Sequence, residues 1–137
     1  MQKSEITEFL IGKIAELLMV EPDEIEADAS LTDELGVDSL DMQDLYITIS
    51  DKYKINYNLI KIINDVAVIL SYDNELTNEE KFEKIEETMK LTFNEDDKKD
   101  FLDRMTREPS GLLLKRIQSY VTADLLASSI EKLICEA

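Results

Sequence analysis

Asp33-Glu34-Leu35-Gly36-Val37-Asp38-Ser39-Leu40-Asp41 is the stretch on which the fold turns. Gly36 permits the backbone to turn just ahead of a helix. That helix is predicted from Ser39 to about Tyr53, with Asp38, Asp41 and Asp44 crowding its start, where the positive end of the helix dipole favours acids. Leu40, Leu45, Ile49 and Tyr53 form its inner stripe, with Met42, Tyr46 and Ile47 alongside. Ser39 therefore stands where coil becomes helix. Backbone N–H groups are unpaired there, and an esterified phosphate on the hydroxyl would be stabilised. On Asp-Ser-Leu alone, a plain N-cap followed by an acidic first turn accounts for the residues as well.

Working towards the N-terminus, residues 20–37 form a long polar connection pinned by Ile25, Leu31, Leu35 and Val37. Before it, Ile6, Phe9, Leu10, Ile14, Leu17 and Leu18 recur at three- and four-residue steps. They predict a helix from an N-cap at Ser4 to about Met19, with Pro22 beyond its end. Working towards the C-terminus, a very apolar helix is expected over 58–72. Thr77 and Glu80 form a capping box that opens another, and Asn94 caps a further one. Pro109-Ser110-Gly111 reads as the clearest break. Helices over 112–118 and 122–134 complete the chain.

Three Gly and two Pro in 137 residues, with 44% apolar content, fit an all-α protein with a real core. The charge is strongly acidic: 31 Asp and Glu against 15 Lys and Arg, net −16, with no His. Such a field repels phosphate backbones and anionic membranes and suits partners with basic patches, so nucleic acid is not expected as a partner. The charge is also uneven. Residues 1–58 hold 14 acids and 4 bases, whereas 59–118 hold 14 and 10. The first segment reads as a docking surface. Cys135 has no partner for an internal disulfide, which fits a reducing, cytoplasmic setting. Met1 to Glu5 show no apolar stretch or cleavage site of a secretory signal, so none is expected, and Val66 to Leu70 is too short an apolar run to span a membrane.

Leu35-Gly36-Val37-Asp38-Ser39-Leu40-Asp41 resembles, residue for residue, the attachment motif of the acyl carrier protein family. Residues 4–57 follow that family's pattern, including Ala29-Ser30-Leu31 in the long connection. Val121 to Leu126 and Ile130 to Leu133 are similar, less specifically, to its last helix. The resemblance implies an acyl-carrier-like four-helix bundle elaborated by about three extra helices between the second and last bundle helices. It implies one carrier domain over 1–137, with 59–118 a helical insertion and 119–137 returning to the carrier fold. It further implies a 4′-phosphopantetheine arm, moved from coenzyme A onto the Ser39 hydroxyl by a phosphopantetheinyl transferase, whose thiol carries acyl groups as thioesters. Asp38 would help the transferase place its metal ion and the cofactor. Leu40 and Met42 would meet partner enzymes through apolar contacts, while Asp33, Glu34, Asp41 and Asp44 would engage their Lys and Arg. The carrier is expected to be a monomer, with no catalytic residue and no metal site of its own. The absence of His also removes the commonest general base for a serine hydrolase.

The chain departs from that pattern in three places. About 60 residues, 59–118, intervene before the last helix; Asn56-Tyr57-Asn58 replaces the family's Ile-Pro step; and Gln43 stands where many carriers have an apolar residue. Ser39-Leu40-Asp41-Met42-Gln43-Asp44 is also similar to carriers that deliver very long acyl chains to lipid A. The insertion reads as an enlarged apolar interior, a partner-recognition appendage, or helices that only pack. Two other functions fit the same residues: an aminoacyl or peptidyl carrier, and a non-carrier interaction protein retaining the fold.

Overall fold

The computed structural model describes residues 2–72 and 75–136. Among them are seven α-helices and no strand: α1 Lys3–Leu18, α2 Ser39–Tyr53, α3 Leu59–Tyr72, α4 Asn78–Met89, α5 Glu95–Met105, α6 Ser110–Ser119 and α7 Ala123–Glu136, with a 3₁₀ turn at Pro22–Glu24. The protein is an all-α helical bundle carrying additional helices. No helix among the described residues is long and apolar enough to cross a membrane. The chain divides into two compact units, one built from residues 1–59 and 121–137, the other from 60–120.

The first unit is organised by α1, α2 and α7. Ile6, Leu10 and Ile14 of α1, spaced one helical turn apart, are fully buried, and Leu126, Ala127 and Ile130 of α7 are buried with them. Each large aliphatic side chain so placed contributes about 1.5–3 kcal/mol relative to exposure. Tyr46 of α2 stacks on Tyr57, ring centroids 5.0 Å apart. The Tyr57 hydroxyl shares a hydrogen bond of 2.9 Å with Ser129 Oγ on α7. Ser50 Oγ accepts from Tyr57 N, and its one hydroxyl hydrogen lies within reach of both Tyr46 O at 2.9 Å and Tyr57 O at 3.1 Å, which fastens the chain after α2 to the helix itself. Burial raises the Tyr46 hydroxyl far above its ordinary pKa and pushes Tyr57 up to about 12.

Three sequence expectations are corrected here. Helix α1 starts at Lys3 with Gln2 as its N-cap, so Ser4 lies inside it. The Lys3 N–H finds the Glu131 carboxylate of α7 at 2.8 Å, a long-range acceptor that makes a local serine cap unnecessary. On α2 the buried stripe is Met42, Leu45, Tyr46, Ile49 and Tyr53; Leu40 and Ile47 fall outside it and are exposed. Finally, Ser110 and Gly111 belong to α6, whose N-cap is Pro109. Leu112 N and Leu113 N both donate to the Pro109 carbonyl, so the proline sits just ahead of the helix, where its missing N–H costs nothing.

The second unit packs α4, α5 and α6 around Phe82, Phe93, Phe101 and Tyr120, whose ring centroids lie about 6 Å apart in tilted and edge-on pairs. Thr77 and Glu80 close the expected capping box on α4, and Asn94 caps α5 by accepting from Asp97 N at 2.7 Å. Asp100 accepts from the Tyr120 hydroxyl at 2.6 Å and from Arg104 Nε at 2.9 Å. The tyrosine bond first, and the arginine after it, hold this carboxyl below the usual carboxylate range.

Candidate functional site: the turn that presents Ser39

The connection ahead of α2 is a fastened turn. Ser30 forms an antiparallel bridge with Thr122, and Leu31 N donates to Val121 O at 3.0 Å, tying the turn to the start of α7. Thr122 Oγ1 in turn accepts from Leu125 N at 3.0 Å. Around Ser30 the bonds converge. Its carbonyl accepts from Glu34 N and Leu35 N, its hydroxyl accepts from Asp33 N at 3.1 Å, and its own N–H donates to Glu34 Oε1 at 3.0 Å. Val37 N closes the turn on Leu31 O at 2.8 Å. Gly36 takes φ +72°, the left-handed region that costs an L-residue energy and glycine almost none.

Val37 is the last buried side chain before the helix; Asp38, Ser39 and Leu40 are all exposed. Asp38 is the N-cap of α2, and its Oδ1 accepts from Asp41 N at 2.8 Å while its carbonyl accepts from Met42 N at 2.9 Å. Among the described residues the Ser39 and Leu40 N–H groups have no protein acceptor. Ser39 therefore combines an exposed hydroxyl, a first-turn position and a rigid preceding turn. A tether esterified there would meet two open N–H groups and the positive helix end, so the residues fit a phosphate-linked arm. Ser4 and Ser110 also lie at helix starts, but Ser4 has no side-chain-capped turn before it and Ser110 Oγ is bonded to Ser71 Oγ at 3.1 Å.

The surrounding residues are placed unequally. Asp33 is exposed and Asp41 partly so. Glu34 is exposed, yet its carboxylate is engaged in the turn by Ser30 N. Asp44 lies 3.6 Å from Lys13 Nζ of α1 and accepts from Thr48 Oγ1 at 3.5 Å. Met42, expected to meet partner enzymes, is only 4% exposed. The helix phase set by Leu45, Tyr46 and Ile49 turns position 42 inward, which corrects that expectation. Leu40, by contrast, is 76% exposed. Ile47, which the sequence pattern sets beside the inner stripe, is 56% exposed, and it shares a face with Leu40, Asp44 and Asp51 at steps of four, three and four residues. A count of helical phase from the cap at Asp38, in place of hydrophobicity alone, would have found it. No group of three or more Cys, Asp or Glu among the described residues is arranged to hold a metal ion.

The comparisons with known proteins fall on this same segment. The family model described as the phosphopantetheine attachment site matches residues 8–67. An acyl carrier protein of Bdellovibrio bacteriovorus is 36% identical over 62 residues, covering 42% of this chain and 80% of that protein. No solved structure matches. The chain belongs to the acyl carrier protein family. It is an acyl carrier whose cofactor is phosphopantetheine.

Proposed function

We propose that Ser39 is the attachment residue and that the chain serves fatty-acid or specialised lipid synthesis, handing acyl groups among enzymes with basic docking patches. The observation that carries this reading is the exposed Ser39 hydroxyl at the first position of α2, held by the Asp38 cap and the Ser30–Val37 turn. When bound, the arm supplies a thiol that holds the acyl group as a thioester. The chain's own residues position and recognise: Asp38 stands beside the attachment hydroxyl, and Leu40, Asp44, Ile47 and Asp51 offer apolar and acidic contacts along one exposed face. Opposite charge of this kind speeds encounter and leaves affinity modest, as a shuttling carrier requires. In this reading residues 1–137 form one carrier domain, with 59–118 a helical insertion and 119–137 returning to the carrier fold, and the protein works as a cytoplasmic monomer without catalysis of its own.

The test is to incubate the chain with coenzyme A and a phosphopantetheinyl transferase and weigh the product. A gain of one arm, abolished in Ser39→Ala, is the expected result. A wild-type chain that gains nothing, or a Ser39→Ala chain that still gains the arm, overturns it. The acyl thioester on protein isolated from its native host then separates a lipid carrier from an aminoacyl carrier.

A further inference from the structure

We infer that Lys13 is a specificity-determining residue, a built-in counter-ion that weakens the acidic docking face of α2 for basic partners. The inference rests on the carrier reading above and refines it. Lys13 lies on α1, and its side chain is only 17% exposed. Its ammonium reaches Asp44 Oδ1 at 3.6 Å and Glu16 Oε1 at 4.0 Å. Asp44, whose side chain is 52% exposed, sits between Leu40 and Ile47 on the exposed face. An incoming Lys or Arg thus meets an acid that already has a cation beside it.

The other lysines of this unit are disposed differently. Lys3 pairs with Asp124 at 2.9 Å, and Lys52 stands 4.7 Å above the Phe9 ring. Lys54 is exposed at the C-cap of α2, and Lys132 is exposed on α7. Lys13 is the lysine of the unit paired with an acid on the α2 face. Because its stem is largely buried, it is held there and does not swing away as a surface lysine would. A neighbouring fixed positive charge lowers both the pull on a basic partner and the steepness of its salt dependence. Asp51, exposed on the same face, is the acid against which the effect at Asp44 is read.

The test measures the second-order rate of arm transfer to Ser39 by a phosphopantetheinyl transferase across a salt series, in the full-length chain. Lys13→Met should raise the low-salt rate by about three- to tenfold and steepen its fall with salt, and Lys13→Arg should behave as the wild type. Lys132→Met changes net charge equally and should move the rate less than about twofold. Asp44→Asn, should Lys13→Met fail to fold, must slow transfer less than Asp51→Asn does. A Lys13→Met rate equal to or below that of the wild type, a Lys132→Met gain as large, or equal losses at Asp44 and Asp51 each overturn the proposal. A wild-type chain that is not modified at all refutes the attachment reading instead, so the two failures are distinguishable.

Discussion

Asp38 couples the stability of α2 to the chemistry of Ser39, and two substitutions pull the roles apart. Asp38→Ala removes the acceptor that Asp41 N–H meets at 2.8 Å, a loss of about 1 kcal/mol for a helix cap. It also removes a negative charge from the positive helix end, worth about 0.3–1 kcal/mol. The expected destabilisation is therefore about 1.5 kcal/mol. Asp38→Asn keeps a side-chain oxygen for the same N–H and loses only the charge, so it should cost about 0.5 kcal/mol. Urea unfolding followed by circular dichroism reads both values. Arm transfer should order them otherwise: if the carboxylate itself serves the transferase, both variants slow by about tenfold or more, despite the near-native stability of Asp38→Asn. Asp38→Asn modified at the wild-type rate would refute a role for the charge. Asp38→Ala as stable as wild type would refute the cap.

Other consequences follow from the same geometry. Gly36→Ala places a Cβ that meets nothing within 4 Å, so only its φ of +72° opposes the change; urea unfolding should show a loss of about 1–2 kcal/mol, and a much larger loss would reveal a clash. Tyr57 is pushed up to about 12 and Tyr46 is raised as well, both chiefly by burial, while an unfolded tyrosine titrates near 10. The folded state then binds more protons than the unfolded one above that pH. Stability should hold below about pH 10 and fall towards pH 12 by up to about 1.4 kcal/mol per pH unit for each of these two tyrosines, and the Tyr46 and Tyr57 phenolates should form together with unfolding. A flat stability profile to pH 12 would contradict the burial. Leu40→Asp and Ile47→Asp lie on exposed positions and should leave stability within about 0.5 kcal/mol. Each should nevertheless slow arm transfer by about tenfold, and an unchanged rate would remove that face from docking.

Much of the fold was legible because polar residues announce helix starts. Asp38 before α2, Thr77 with Glu80 before α4, and Asn94 before α5 each satisfy N–H groups that the helix cannot. The ends of α1, α2 and α3 were legible to within a residue from where the apolar spacing stops, although no glycine marks the caps of α1 and α2. Helices α1, α2 and α4 stop at Met19, Lys54 and Lys90, all in the left-handed region without a glycine to mark them. Contacts distant in sequence were not legible at all: Glu131 accepting from Lys3 N moves the start of α1, and the Ser30–Thr122 bridge fastens the turn before Ser39. At the candidate site, residue types were readable but exposure was not. Leu40 and Met42 are both apolar and two residues apart, and the 100° turn per residue sends one out and the other in. The Lys13–Asp44 pair needs two helices side by side, so no local pattern predicts it.

Tandem mass spectrometry of the transferase-treated chain most directly tests where the arm resides. The account predicts a single phosphodiester on the Ser39 hydroxyl, with Ser30, Ser50 and Ser110 unmodified. An arm located on any other serine, or none on Ser39, would contradict it.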